Sequence, residues 1–208
     1  VYGACCMSRA VGGDYFDIFS PRGKSQKLIV LADVAGHGLS AAIIMASFRS
    51  MLRTALSEGV TQLRYMARKL NSLLYEDLHE NGLFITCLLL KYDFFNARLN
   101  VLNCGHPSPL STSLRHEELL DRGNPPLGIY PEPELKVVDF EMKTGEALLL
   151  FSDGIVEGKD CFSNEYGLSR LKGSFLEASE RTPQEIVEHI MTDFRGKVID
   201  QRDDVTLM

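Results

Sequence analysis

Apolar residues in this chain change their period several times, and that order leaves few architectures open. Ile43, Ile44, Phe48, Met51, Leu52 and Ala55 recur at helical spacing on a predicted helix from Ser40, a residue type that can cap it, to about Glu58. Arg49, Arg53 and Ser57 fall on another face. Leu63, Met66, Leu70, Leu73, Leu74 and Leu78 keep the same period on a second helix from about Thr61 to Glu80. Before them, Lys27 to Ala32 reads as a buried strand that Gly36 and Gly38 break. After them the pattern turns extended: LFITCLLLKY, ARLNVLNCG, ELKVVDFEM and EALLLFSDG, with turn residues between. Helical signals return in GLSRLKGSFLEA and in the capped TPQEIVEHIMTDF, and DDVTLM closes the sequence as a strand expected to continue in the parent chain. Helix pairs on both faces of an antiparallel-rich pair of sheets satisfy this order, giving a layered α/β sandwich.

With 208 residues, 45% of them hydrophobic, the chain can bury one sizeable core, and no linker divides it. Asn124 to Pro133, with four prolines, is expected as a long surface loop. Apolar runs such as Ile85 to Leu90 and Ala147 to Phe151 fall short of the roughly 18 residues a membrane span needs. A net charge of −6 without a basic run argues against a nucleic-acid surface and does not favour an anionic membrane. The five cysteines lack CxxC spacing, which fits a reducing cytoplasm. Cys104 lies two residues before His106, yet it continues the strand alternation and reads as core, so zinc is not expected. The sequence starts at Val1 without a signal-peptide pattern and is expected to be one domain, 1–208, excised from a longer chain with an N-terminal regulatory region.

Four aspartates sit beside glycines or at the ends of apolar runs: Asp14 in VGGDYFD, Asp33 in LADVAGHG, Asp153 in LLLFSDG and Asp203 in RDDVT. Taken singly, an Asp near Gly is a turn or helix-cap residue. As a set they suggest another role, because a carboxylate at the mouth of a buried sheet loses hydration unless a cation or hydrogen-bond donors compensate it. Ligands that are all oxygen point to Mg²⁺ or Mn²⁺ rather than zinc.

In order, VGGDYFDIF, LADVAGHGLSAAI, NCGHPSPL, FSDGIVEG, YGLSRL and DDVTLM resemble the metal-dependent type 2C serine/threonine phosphatases, in particular the bacterial SpoIIE/RsbU branch. The resemblance runs from about Val11 to Met208. It implies a four-layer α-β-β-α sandwich of two mainly antiparallel sheets flanked by helix pairs, with two Mn²⁺ or Mg²⁺ ions at one edge. Carried over by motif, Asp33 would bridge the ions and the Val34 carbonyl would ligate one of them. Asp153 and Asp203 would hold the other, and Asp14 would support the first directly or through water. Asp203 matches the family ligand, and strand alternation would turn Asp204 the other way. Gly36 and Gly38 would let the backbone turn tightly near the ions.

His37 reads either as a proton donor to the leaving serine oxygen or as a brace of its turn. Arg9, five residues before Asp14, reads either as a phosphate-binding arginine or as a solvated surface residue. His106 is expected to hold a loop by hydrogen bonds, and Asp17 and Asp93 to belong to turns. The activity implied is hydrolysis of a phosphoserine or phosphothreonine by a water that two metal ions activate. By the same resemblance the substrate would be a phosphorylated anti-sigma-factor antagonist. An N-terminal sensor or receiver domain would regulate the enzyme, and a homodimer is allowed. A cysteine-dependent phosphatase would need a CxxxxxR loop, which is missing. A nucleotide-binding regulator would need GxxxxGK[ST] or GxGxxG, also missing. The remaining alternative is a catalytically weak phosphatase-like module that binds a partner protein.

Overall fold

The computed structural model describes residues 1–8, 11–21, 25–36, 38–120 and 123–208. In chain order the elements are β1 (Ala4–Cys6), β2 (Tyr15–Phe19), β3 (Gln26–Val34), α1 (Leu39–Ser57), α2 (Leu63–Glu80), β4 (Ile85–Asp93), β5 (Arg98–Cys104) and β6 (Leu110–Ser111). There follow α3 (Leu114–Leu120), β7 (Val138–Glu141), β8 (Leu148–Leu149), α4 (Gly154–Glu157), α5 (Leu168–Ala178), α6 (Pro183–Arg195) and β9 (Val205–Leu207).

One sheet is antiparallel throughout, in the order β2-β3-β4-β5-β7. The second is built from two antiparallel pairs, β1 with β9 and β6 with β8. Main-chain bonds join them, Leu150 and Met208 exchanging N–H···O contacts of 2.9 Å and Ser152 N–H donating to Thr206 O at 3.0 Å.

Strand alternation sorts the core into three layers. Leu28, Val30, Ala32 and Val34 of β3 pack with Phe48, Leu52, Met66, Leu70 and Leu74 of α1 and α2. Ile29 and Leu31 point the other way, into an inter-sheet core with Leu88, Leu90, Val101, Leu150 and Met208. Beyond the second sheet, Val205 and Leu207 pack with Leu171, Phe175, Ile190 and Phe194 of α5 and α6. The result is the four-layer α-β-β-α sandwich expected. Helix α6 begins as its sequence indicates, with Pro183 at its start and a capping box in which the Glu185 N–H bonds Thr182 Oγ1 and the Thr182 N–H bonds Glu185 Oε2.

Several local expectations need correcting. Gly38, not Ser40, is the N-cap of α1, and its φ of 81° is the left-handed conformation glycine tolerates. The buried stripe of α1 is Ala41, Met45, Phe48, Leu52 and Ala55, while Ile43 is 57% exposed; on α2, Leu73 is 51% exposed. Both helices carry more apolar residues than one face can bury, so periodicity alone could not choose the stripe. By length and a mean hydropathy of 1.2, α1 could cross a bilayer, but it packs on β3 and carries exposed Arg49 and Arg53 along its length. The proline-rich segment is not simply a surface loop: Leu127 is fully buried and exchanges main-chain hydrogen bonds with Ile85, and Asn71 of α2 binds Gly128 N, Tyr130 O and Pro131 O. Asp17 lies within β2 rather than in a turn, accepting from Tyr15 and Arg53.

Leu127→Ala is therefore expected to cost about 2–5 kcal/mol, as for a fully buried leucine. Denaturant unfolding of the variant checks it; a loss below about 0.5 kcal/mol, the range of surface changes, would mean that the segment does not belong to the core.

Candidate metal centre

Three glycines allow separate chain segments to meet at one end of the sandwich. A Cβ added at Gly13 would stand 3.0 Å from Asp33 Oδ1 and 3.2 Å from the Val34 carbonyl oxygen. One at Gly12 would fall 1.7 Å from Asp204 Oδ2, and one at Gly154 would fall 2.2 Å from the Asp204 carbonyl oxygen. The glycines of VGGD and SDG thus permit main chain to lie directly on carboxylates and carbonyls.

Asp33 is the penultimate residue of β3, where the inner face that carries Ile29 and Leu31 runs out of apolar side chains. Asp153 stands at the N-terminus of α4, Asp203 and Asp204 immediately precede β9, and Asp14 immediately precedes β2. Ser152 Oγ and Thr206 Oγ1 both donate to Asp14 Oδ2, at 2.7 and 2.5 Å. Asp204 is buried and accepts Ser8 N–H at 2.8 Å and Ser8 Oγ at 3.2 Å. Asp203 Oδ1 accepts the Asp204 N–H at 2.8 Å.

The electrostatics follow from that crowding. Burial, then the charges of Asp14, Asp153, Asp203 and Asp204, push Asp33 up to about 8. Burial pushes Asp14 up to about 7 against the opposing hydrogen bonds from Thr206 and Ser152. Asp153 is raised by burial and by Asp203. Such a set is unfavourable when ionised alone and favourable around a cation, and its donors are all oxygen, the chemistry of Mg²⁺ or Mn²⁺. Among the described residues no three His, Cys, Asp or Glu side chains close around one point tightly enough to hold an ion by themselves. Backbone carbonyl oxygen and water would complete such a shell, as Mg²⁺ ordinarily requires. An apolar cavity of about 640 Å³, lined by Ile18, Leu90, Tyr92, Leu99, Met142 and Leu148 among others, lies at the opposite end and includes none of these carboxylates.

The family model for Stage II sporulation protein E matches residues 24–208. The chain belongs to the SpoIIE family. Phosphoserine phosphatase RsbP of Bacillus subtilis is 29% identical over 133 residues, covering 62% of this chain and 33% of RsbP. Stage II sporulation protein E of Priestia megaterium is 30% identical over 203 residues, covering 95% of this chain and 33% of that protein. The chain therefore spans about a third of the length of these relatives. Among solved structures, the SiaA-PP2C domain of Pseudomonas aeruginosa superposes with a TM-score of 0.80 at 16% identity, over 99% of this chain and 82% of that one. RsbX, solved in complex with magnesium, gives 0.70 at 14% identity, over 99% and 90%. The SpoIIE-family chain thus has the fold of a PP2C domain.

Of the site residues expected from sequence, Asp14, Asp33, Val34, Asp153 and Asp203 lie at this one end of the SpoIIE-family domain, whereas Arg9 and His37 fall outside the described residues. Sequence reasoning missed the residues that hold the carboxylates. Ser152 and Thr206 belong to the SDG and DDVT motifs themselves, and the strand period that separates Asp204 from Asp203 would also have put Thr206 on the Asp204 side. The loop at His106 is held by the Asn103 side chain, whose Oδ1 accepts the His106 main-chain N–H at 2.8 Å and whose Nδ2 donates to the His106 carbonyl at 2.9 Å, while the His106 ring bonds Thr86 at 2.8 Å. Asp93 does serve a turn, accepting the Phe95 N–H at 2.9 Å.

Two expectations follow from this arrangement. With divalent ions chelated, the folded state holds protons on Asp33 and Asp14 that the unfolded chain has already released. Raising the pH from about 5 to 8 should then lower the thermal midpoint, and Mn²⁺ should restore it at the upper end. A midpoint independent of pH in chelator would contradict this. Separately, Asp203→Asn should weaken Mn²⁺ binding with little change in melting, whereas Asp204→Ala should cost about 1–3 kcal/mol by stranding the Ser8 N–H. Calorimetric titration and melting of both variants distinguish the two roles; reversed effects would place the ligand at the second position.

Proposed function

We propose that this domain is a protein serine/threonine phosphatase that hydrolyses phosphoserine or phosphothreonine with two Mn²⁺ or Mg²⁺ ions. The observation that carries the reading is the convergence of Asp14, Asp33, Asp153 and Asp203 beside glycines that leave no room for a side chain. When bound, the ions would supply a hydrolytic nucleophile at neutral pH and neutralise charge on the phosphoryl oxygens. In this reading Asp33, the Val34 carbonyl, Asp153 and Asp203 would hold the ions. Asp14 contributes from a carboxylate whose Oδ2 is already fixed by two hydroxyls, so its orientation is set before any ion arrives.

Cysteine chemistry finds no support at this end of the molecule. Cys5 pairs with Thr206 across β1 and β9, and partial desolvation raises its thiol to about 11, against the Thr206 hydrogen bond and with the charges of Asp14 and Asp204. Such a group is a thiol, not a thiolate nucleophile, at neutral pH.

The resemblance to the SpoIIE/RsbU branch supports a finer proposal: the phosphorylated residue lies on a small anti-sigma-factor antagonist, in the cytoplasm. A sensor or receiver region elsewhere in the parent chain, or a homodimer, would control turnover.

Hydrolysis of p-nitrophenyl phosphate, and of candidate phosphorylated antagonists, should require added Mn²⁺ or Mg²⁺. Asp33→Asn should lower turnover by roughly 10²–10³-fold, the order seen when one preorganised electrostatic group is removed, in a protein that still melts cooperatively. Steady-state assays in chelator and in metal check both points. Undiminished activity after exhaustive chelation would refute the proposal, and metal-independent phosphoprotein binding without turnover would favour a partner-binding module instead.

A further inference from the structure

The two sheets that supply the carboxylates come together at one buried imidazole. Thr86 is the direct partner of Asp33 across β3 and β4, so the two side chains share a face. Thr86 Oγ1 lies 2.8 Å from His106 Nδ1. His106 is 5% exposed, and its main chain is pinned at both polar atoms by the Asn103 side chain. Asn103 is held in turn, its carbonyl accepting the Asn124 N–H and Nδ2, both at 2.8 Å. On the far side the ring approaches the main chain of Phe151, in the second sheet and two residues before Asp153, while Nε2 is buried without a closed hydrogen bond among the described residues.

Burial lowers the imidazole to about 4, so at neutral pH it is uncharged and has one donor and one acceptor nitrogen. Nδ1 and the Thr86 hydroxyl share one hydrogen bond, which leaves Nε2 as the ring nitrogen free to face the main chain of Phe151. Apolar packing would fill the same space but is non-directional, whereas the Thr86 bond fixes separation and angle together on that side of the ring.

We propose that His106 is a positioning residue for the metal centre, bracing Thr86 in the first sheet against the main chain at Phe151 in the second and so setting the separation of Asp33 from Asp153. The proposal rests on the metal-centre reading above. It assigns His106 no contact with substrate or ion; its effect passes through Thr86 and Phe151. Groups that orient ligands in this indirect way change metal affinity by roughly 10–100-fold when removed.

The test uses the full chain, stripped of metal, in four variants: Thr86→Val, His106→Gln, His106→Leu and Asp33→Asn. Mn²⁺ affinity is read by calorimetry, stability by melting, and kcat and KM with p-nitrophenyl phosphate at saturating Mn²⁺. Thr86→Val removes one hydroxyl at nearly constant volume and should weaken Mn²⁺ binding about tenfold, near the lower end of that range, with a near wild-type melt. Its kcat should fall while KM holds. His106→Gln, which keeps an acceptor and a donor, should recover most of the affinity that His106→Leu loses. If Thr86→Val binds Mn²⁺ as tightly as the wild type and keeps its kcat, the brace is refuted, and Thr86→Val decides alone should His106→Leu fail to fold. Loss of binding in Asp33→Asn alongside an unaffected Thr86→Val removes only this inference. Retention of binding in Asp33→Asn removes the metal-centre reading itself.

Discussion

Strands β3 and β4 bury both of their faces, and each layer of the molecule takes its position from that fact. A strand with two apolar faces must be covered twice, once by α1 and α2 and once by the second sheet. The second sheet then needs its own cover, which α5 and α6 provide. Where the inner face of β3 reaches its end, the apolar side chains give way to Asp33, at a place half shielded from water and facing segments of the opposite sheet. The chemistry thus begins where the packing stops.

That placement creates an electrostatic tension which the fold alone does not relieve. Hydroxyl groups from Ser152 and Thr206 stabilise Asp14, and backbone amides assist Asp153, yet burial and mutual repulsion still dominate the titration of Asp33 and Asp14. Apolar layers elsewhere in the sandwich offset the cost. A centre of this kind trades stability of the empty state for affinity toward a cation, the usual relation between strained functional sites and the scaffold that carries them.

Sequence periodicity recovered the layers because the period of a buried stripe is enforced along its whole length. It misjudged Ile43 and Leu73 because α1 and α2 offer more apolar residues than their buried stripes use. It read Asn124 to Pro133 as a surface loop because prolines and a glycine mask a single bridging residue, Leu127, whose partner lies on another strand. The carboxylates were legible through their glycines, since a position where a Cβ cannot fit leaves a mark in the sequence. Their supports were not. Ser152, Thr206, Thr86, Asn103 and Asn124 are ordinary residues in ordinary strand and turn contexts, and only tertiary contacts give them a role. Helix α3 was unforeseen because its seven residues span about two turns, too few for a period to register.

The clamp on Asp14 also has a temporal consequence. Its two hydroxyl partners lie 138 and 192 residues away along the chain, and the Ser8–Asp204 contact spans 196. Contacts of that range close only after the intervening chain is organised, because loop-closure entropy must be met before they contribute. The helix pairs and the β4–β5 hairpin, whose partners lie close along the chain, are able to assemble without them. The carboxylate end is then the last part of the molecule to take shape. An ion held by these carboxylates would then act on the completed fold, slowing its loss rather than guiding its formation.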